Sequence, residues 1–323
     1  MMNKLLIVLI VTLFLSSCEE QVEERISPST RLNVQKVENL SERGIFDAWG
    51  IAKVGNKFII RTSNGVTAVS GKETALSRSK GSEAKGVCLF DFMRKEIVEY
   101  TPMNGDEIRS IPLELPEGEQ HLAAVKGSDF TISTGIYDKG RYLYTPTAGE
   151  AKYFVAYPVH SGYLDMTGKQ KAILYASSVL RIRPDERSFV CADMYSGGID
   201  FCSVDNGSIT LVKRVCFHAP DIQVRGKENP KIAYTKNNRM GFSDIAVSED
   251  RVYALHSGKT YNESGKDFYT CNELLVFDWD GNLLNTYMLD KSAVGVSYDE
   301  GENVLYAVSN APDIPMFRIH LPE

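Results

Sequence analysis

The residues best equipped for chemistry are five histidines and five cysteines beyond Cys18, and their spacing gives them little to do together. His121, His160, His218, His256 and His320 are scattered, and no two are placed to ligate one metal from a single element. Cys88, Cys191, Cys202, Cys216 and Cys271 include no CxxC pair. A nucleophile elbow of the Gly-x-Ser-x-Gly kind is missing, and so is a glycine-rich phosphate loop. Asp278-Trp279-Asp280-Gly281-Asn282 has the look of a calcium loop but lacks the terminal glutamate of an EF-hand, so it reads as a hairpin turn. No motif for bond-making stands out, and the pattern points to recognition over catalysis.

Two states stay open for the cysteines. If Ser196-Gly197 is a two-residue loop, Cys191 and Cys202 oppose each other on adjacent strands, at the ~4.5 Å Cα separation that a disulfide just accepts. The alternative is a set of buried free thiols.

The elements that must position any site are strands. Helical periodicity is almost absent after the first residues, while short alternating strands and turn signals recur throughout. One unit repeats: an apolar strand, a polar turn, a second strand rich in aliphatic and aromatic residues, a variable loop, and a hairpin of two more strands. Its clearest copy pairs residues 243–247 with 251–256, then 273–278 with 283–289. Another opens at 293–297 and continues at 304–308. Earlier copies pair 47–53 with 58–61, 121–125 with 130–133, and 179–183 with 189–192. The last of these carries a hairpin of 199–204 and 209–217 joined at Asn206-Gly207, a strong turn signal.

Four strands repeated every ~40–60 residues predict the blades of an all-β propeller, with a long β-sandwich as the competing fold. Five blades are readable. The last has room for three strands only, so residues 31–37 are expected to supply its fourth and close the ring.

Within that frame, residues starting each innermost strand ring the axis, and loops after each second strand overhang the same face. Asp47, His121, Ser178 and Asp244 fall at the first kind of position. Loops 62–85, 135–152 and 257–270 carry Tyr137, Arg141, Tyr142, Tyr144, Lys259, Tyr261 and Tyr269. Tyrosine joins apolar area to a polar tip, which suits recognition. The candidate ligand-binding residues are therefore Asp47, His121, Tyr137, Tyr144, Asp244 and Tyr261.

The run Phe277-Asp278-Trp279-Asp280-Gly281-Asn282-Leu283-Leu284, followed by Leu289-Asp290 and by Val304-Leu305-Tyr306-Ala307-Val308, resembles the TolB-like six-bladed propeller lipoproteins. The resemblance implies six blades, with the sixth expected in the poorly patterned stretch 88–115.

The amino terminus has the order of a secretory signal, with Lys4 ahead of an apolar run at 5–15 that is shorter than the ~20 residues a membrane-crossing helix needs. Leu15-Ser16-Ser17-Cys18 resembles the lipobox of bacterial lipoproteins, which implies cleavage after Ser17 and lipid on Cys18. The expected organisation is a signal peptide at 1–17, a polar tether at 18–30 and one propeller domain at 31–323. The location that follows is the cell envelope, on the outer membrane.

A formal net charge of −6 with no long basic run argues against nucleic acid as a partner. The function expected is a lipid-anchored binding module for a protein, peptide or glycan, needing no cofactor. The alternative is a propeller hydrolase of the lactonase or phosphoesterase type, with calcium held on its axis by groups such as Asp47, Asp244 and His121.

Overall fold

A computed structural model describes residues 30–55, 57–63, 65–70, 87–100, 107–115, 117–160, 166–225 and 231–322. The expected signal peptide, Cys18 and most of the expected tether lie outside these residues.

Six sheets of three to five strands follow one another along the chain, and a two-stranded ribbon makes a seventh. Blade one is Gly50–Val54, Lys57–Thr62 and Gly65–Ser70. Blade two is Val87–Asp91, Glu96–Tyr100 and Glu107–Pro112, which fills the stretch where the missing blade was expected. Blade three has Gln120–Lys126, Phe130–Ile136, Tyr142–Pro146 and Lys152–Phe154. Blade four has Ser178–Ile182, Ser188–Asp193, Gly198–Asp205 and Ser208–Cys216. Blade five has Phe242–Val247, Val252–His256, Cys271–Phe277 and Leu283–Ala293. Blade six has Gly295–Asp299, Val304–Val308 and Pro315–Ile319.

The amino-terminal segment completes the last two sheets. Gln35–Asn39 pairs antiparallel with Pro315–Ile319 as the fourth strand of blade six, and Thr30–Leu32 adds in parallel to the edge of blade five. The closure expected from residues 31–37 is thus made mainly by 35–39.

A sheet buries two faces only when it is stacked, and the apolar clusters accordingly lie in the seams. Leu255, Leu274 and Val276 of blade five meet Val296, Leu305 and Ile319 of blade six. Val190 and Phe201 of blade four meet Ile245 and Phe277 of blade five. Ile132 and Tyr142 of blade three meet Leu180 and Phe189 of blade four. The first strands of all six blades surround an axial cavity of about 810 Å³.

The ribbon, Ile222–Arg225 with Lys231–Tyr234, bridges blades four and five. It packs with the helix Gly168–Leu174 and with Tyr157 and Tyr175 in a satellite cluster.

Of the two states left open for the cysteines, the structure shows free thiols. Cys191 stands opposite Asp200, Cys202 stands opposite Phe189, and both thiols are free and buried. Residues 194–197 do not form a two-residue hairpin, because their backbone serves neighbouring segments. Met194 N donates to Ser177 O, Gly197 N to His218 O, and Gly241 N to Met194 O. The wider loop shifts the register so that the two cysteines are diagonal neighbours, ~7–8 Å apart at Cα, beyond disulfide reach.

Candidate functional site

The face bearing the loops after each second strand carries a run of aromatic rings that crosses blade boundaries. Trp49 precedes the first strand of blade one and is 46% exposed. Its ring centroid lies 5.4 Å from that of Tyr269. Tyr269 and Phe268 are 5.9 Å apart, as are Phe268 and Tyr261. Phe268 and Tyr261 then border a cavity of about 340 Å³ whose other walls are Tyr195, Tyr234, Thr235, Lys236 and Asn238. Tyr195 and Tyr234 stack at 4.5 Å on its far side.

These rings come from four separate stretches of chain, and polar clamps hold each one. Asp47 Oδ2 accepts from Trp49 Nε1 at 3.1 Å and from the Ser63 amide at 2.7 Å. Hydrogen bonds from Ser63 hold the Asp47 carboxyl below its ordinary pKa.

The 257–270 loop begins with a capping box. Thr260 Oγ1 accepts from Glu263 N at 3.1 Å, and Glu263 Oε2 accepts from Thr260 N at 2.9 Å. Arg239 Nη2 pairs with Glu263 at 3.0 Å, while Lys259 Nζ ties down Thr270 O and Asn272 Oδ1 at 2.9 and 3.0 Å. Lys236 Nζ sits 5.5 Å above the Tyr261 ring.

Polar atoms around the cavity are largely spent on the protein itself. Asn238 Nδ2 donates to Tyr195 O and Arg239 O, and its Oδ1 accepts from Asp221 N. Thr235 Oγ1 donates to Asp221 Oδ2 and accepts from Asn237 N. The Tyr234 hydroxyl donates to Leu174 O. Ring faces and the Lys236 ammonium are left for an incoming group.

Of the six candidate ligand-binding residues, Asp47 and Tyr261 belong to this face, and Asp47 acts by aiming Trp49. The other four do not join them. Tyr137 and Tyr144 are buried, which corrects their expected place on an overhanging loop. Residues 142–146 form the third strand of blade three, so Tyr144 packs in the seam with its ring stacked 5.1 Å from Phe130. The Tyr137 hydroxyl donates to Ser133 Oγ at 3.0 Å and lies 2.5 Å from His121 Nδ1. Burial pushes His121 down to about 4. Loop 62–85 is likewise shorter than expected, because Gly65–Ser70 returns as a strand with Gly65 opposite Thr62; residues 71–86 lie outside the described ones.

Arg141 and Tyr142, also expected on a loop, are in the seam between blades three and four. Arg141 pairs with Asp193 at 2.6 Å and Asp200 at 3.2 Å, and Arg214 Nε meets Asp200 at 2.7 Å. Burial alone would raise Asp200, but the two guanidiniums more than offset it and bring its pKa to about 2.

Asp244 is buried and engaged by Arg181 Nη2 at 2.6 Å. Of the groups named for axial calcium, Asp47 holds Trp49 and Ser63, Asp244 holds Arg181, and His121 lies against Tyr137. Among the described residues, no three His, Cys, Asp or Glu side chains group as metal ligands.

Sequence reasoning missed Trp49, Tyr195, Tyr234, Lys236 and Phe268. Tyr195 was legible only as part of a turn. The ribbon that carries Tyr234 has no blade pattern to reveal it.

Comparison with known proteins agrees with this architecture. A family model described as TolB-like 6-blade propeller-like matches residues 84–301, more than half of the chain. The chain is similar to a putative exported protein of Bacteroides fragilis NCTC 9343, with TM-score 0.52 and 9% identity over 93% of this chain and 98% of that one. A member of the duf4221 family from Bacteroides vulgatus gives TM-score 0.49 and 10% identity over 93% and 99%. A gluconolactonase from Xanthomonas campestris gives 0.44 and 11% over 92% and 98%. At such identities the likeness is of fold alone. No curated protein matches the sequence.

Proposed function

The chain belongs to the TolB-like six-bladed propeller family, and from that premise we propose that it is a binding module presenting its loop face to a polypeptide. The observation that carries this reading is the aromatic run from Trp49 through Tyr269, Phe268 and Tyr261 to the cavity walled by Tyr195 and Tyr234. Exposed tyrosine and tryptophan set on clamped loops bring large contact area with little ordering left to lose on binding.

A polypeptide is favoured over a glycan by the state of the polar groups. A sugar brings hydroxyls that need partners, and Asn238, Thr235 and Tyr234 are already occupied within the protein. An apolar or aromatic side chain needs only the ring faces, and an acidic neighbour on the same peptide would meet Lys236.

Lipid on Cys18 would hold this face near a membrane, with residues 18–30 as tether. The lipobox-like run Leu15-Ser16-Ser17-Cys18 supports that reading. No helix among the described residues is long and apolar enough to cross a membrane.

Peptide display selected against the full-length protein tests the proposal. Aromatic-containing peptides should emerge, and Tyr261→Ala and Trp49→Ala should each weaken them by roughly tenfold, the scale of an interface hot spot. Selected peptides indifferent to both changes would overturn the assignment of the face. Binding confined to an oligosaccharide array would overturn the choice of partner.

A further inference from the structure

The loop-face end of the axial cavity places two guanidinium groups against one carboxylate. Asp244 is fully buried, and its acceptor positions are taken. Oδ1 accepts from Arg181 Nη2 at 2.6 Å and from Ile245 N at 3.0 Å, and Oδ2 accepts from Val296 N at 3.1 Å. Arg61 Nη2 stands 3.8 Å from the same carboxylate, too far for a hydrogen bond. Among the described residues the Arg61 guanidinium makes no hydrogen bond and has no other ion partner, although its side chain is only 35% exposed.

Backbone packing holds Arg61 there. Its guanidinium lies across Gly50, where an added Cβ would come within 2.5 Å of Nε. Gly50 is in turn met by Gly295, whose Cβ would fall 2.6 Å from the Gly50 Cα. Two glycines thus bring blades one and six together and leave room for one arginine to reach the axis.

The other cations lining the cavity are better matched. Lys53 pairs with Asp299 and with Glu302, and Arg183 pairs with Asp185 at 3.6 Å and with Glu249 at 3.9 Å. Lys126 and Glu99 line it together, and Glu186 accepts from Ser128 N and Oγ. Arg61 and Arg181 against Asp244 therefore leave one positive charge unbalanced at their end of the cavity, whose lining as a whole also includes Ile51, Val179, Val247 and Tyr298. An unpaired charge in such a setting is costly, and a planar fork of donors suits an oxyanion.

We infer that the axial cavity is a binding site for a small organic anion, whose carboxylate or phosphate engages Arg61 and Arg181 while its apolar part lies along the walls. This site is separate from the aromatic run on the loop face.

Calorimetric titration of the full-length protein with benzoate, phenyl phosphate and neutral benzyl alcohol tests it. The expected result is saturable binding of benzoate or phenyl phosphate, with the tighter of the two identifying the headgroup, and at least tenfold weaker binding of benzyl alcohol. Arg61→Gln should weaken the anion at least tenfold, and Arg61→Lys should fall between, keeping charge without the fork. Arg61 is the chosen position because removing Arg181 would strand Asp244. Trp49→Ala and Tyr261→Ala should leave anion binding unchanged, which separates this site from the peptide face. Absence of binding by both anions, equal binding of benzyl alcohol, or Arg61→Gln binding as well as the unaltered protein would overturn the inference.

Discussion

At the scale of single residues, burial has turned several polar groups into structural parts with measurable signatures. The ordinary pKa of His121 is 6.5, and burial lowers it to about 4. The unfolded chain takes up this proton below pH ~6.5, whereas the folded chain resists it until pH ~4. The contribution of neutral His121 is therefore complete above pH 6.5 and is lost as pH falls through 4, at about 1.4 kcal/mol per pH unit in between. His121→Asn, which keeps a polar atom toward Tyr137 but does not titrate, should flatten that slope in urea unfolding between pH 6.5 and 4. An unchanged slope would mean that other groups carry it. Arg141 is a second case. With Asp193 and Asp200 both buried against it, Arg141→Met should cost about 3–5 kcal/mol in denaturant unfolding. Adding Asp193→Asn to that variant should recover part of the loss, because one uncompensated charge is then removed. Tyr137 and Tyr144 show why residue type alone misled. Tyrosine serves a core seam as readily as a surface; strand pairing at 142–146 decides the matter for Tyr144, and hydrogen bonding with Ser133 and His121 for Tyr137.

Among elements, strands with clean alternation were legible. Those in blades four, five and six match their expected ranges closely, and Ser188–Asp193, Val252–His256 and Val304–Val308, buried on both faces between neighbouring blades, stand out as short apolar runs. What stayed hidden has physical causes. Blade two interleaves charged residues with its apolar ones, as in Glu96–Tyr100, where Ile97, Val98 and Tyr100 are buried and Glu96 and Glu99 stand among them. The ribbon Lys231–Tyr234 packs on a helix and not on another blade, so it obeys no repeat. The misplaced Cys191–Cys202 register came from reading 194–197 as a tight hairpin, when its backbone is bonded to other segments. The approach of blade six to blade one makes its own forecast. Because a Cβ at position 295 would fall 2.6 Å from the Gly50 Cα, a backbone atom that cannot swing aside, Gly295→Ala should destabilise the fold by about 1–3 kcal/mol, the range for overpacking. A melting temperature within error of the original would show that the two strands have slack.

For the whole molecule, the ring is closed by chain from its opposite end. Gln35–Asn39 is the outer strand of blade six, and Leu32 is buried in the cluster shared by blades five and six. The expectation that residues near 31–37 complete the last blade followed from counting three strands where four were needed, so closure was legible although its register was not. The loop face was half legible. Tyr261 and Tyr269 were visible on a long loop, but their alignment with Trp49, Tyr195 and Tyr234 is a product of ring closure and exists only in three dimensions. That alignment is the centre of the account, and photocrosslinking in intact cells tests it most directly. A photoreactive phenylalanine analogue placed at position 261 should form an adduct with one polypeptide. The same group at position 93, exposed in the turn between the first two strands of blade two and hence away from the loop face, should not. An adduct of equal yield from both positions, or from 93 alone, would contradict the claim that this protein works by holding a polypeptide on its aromatic loop face.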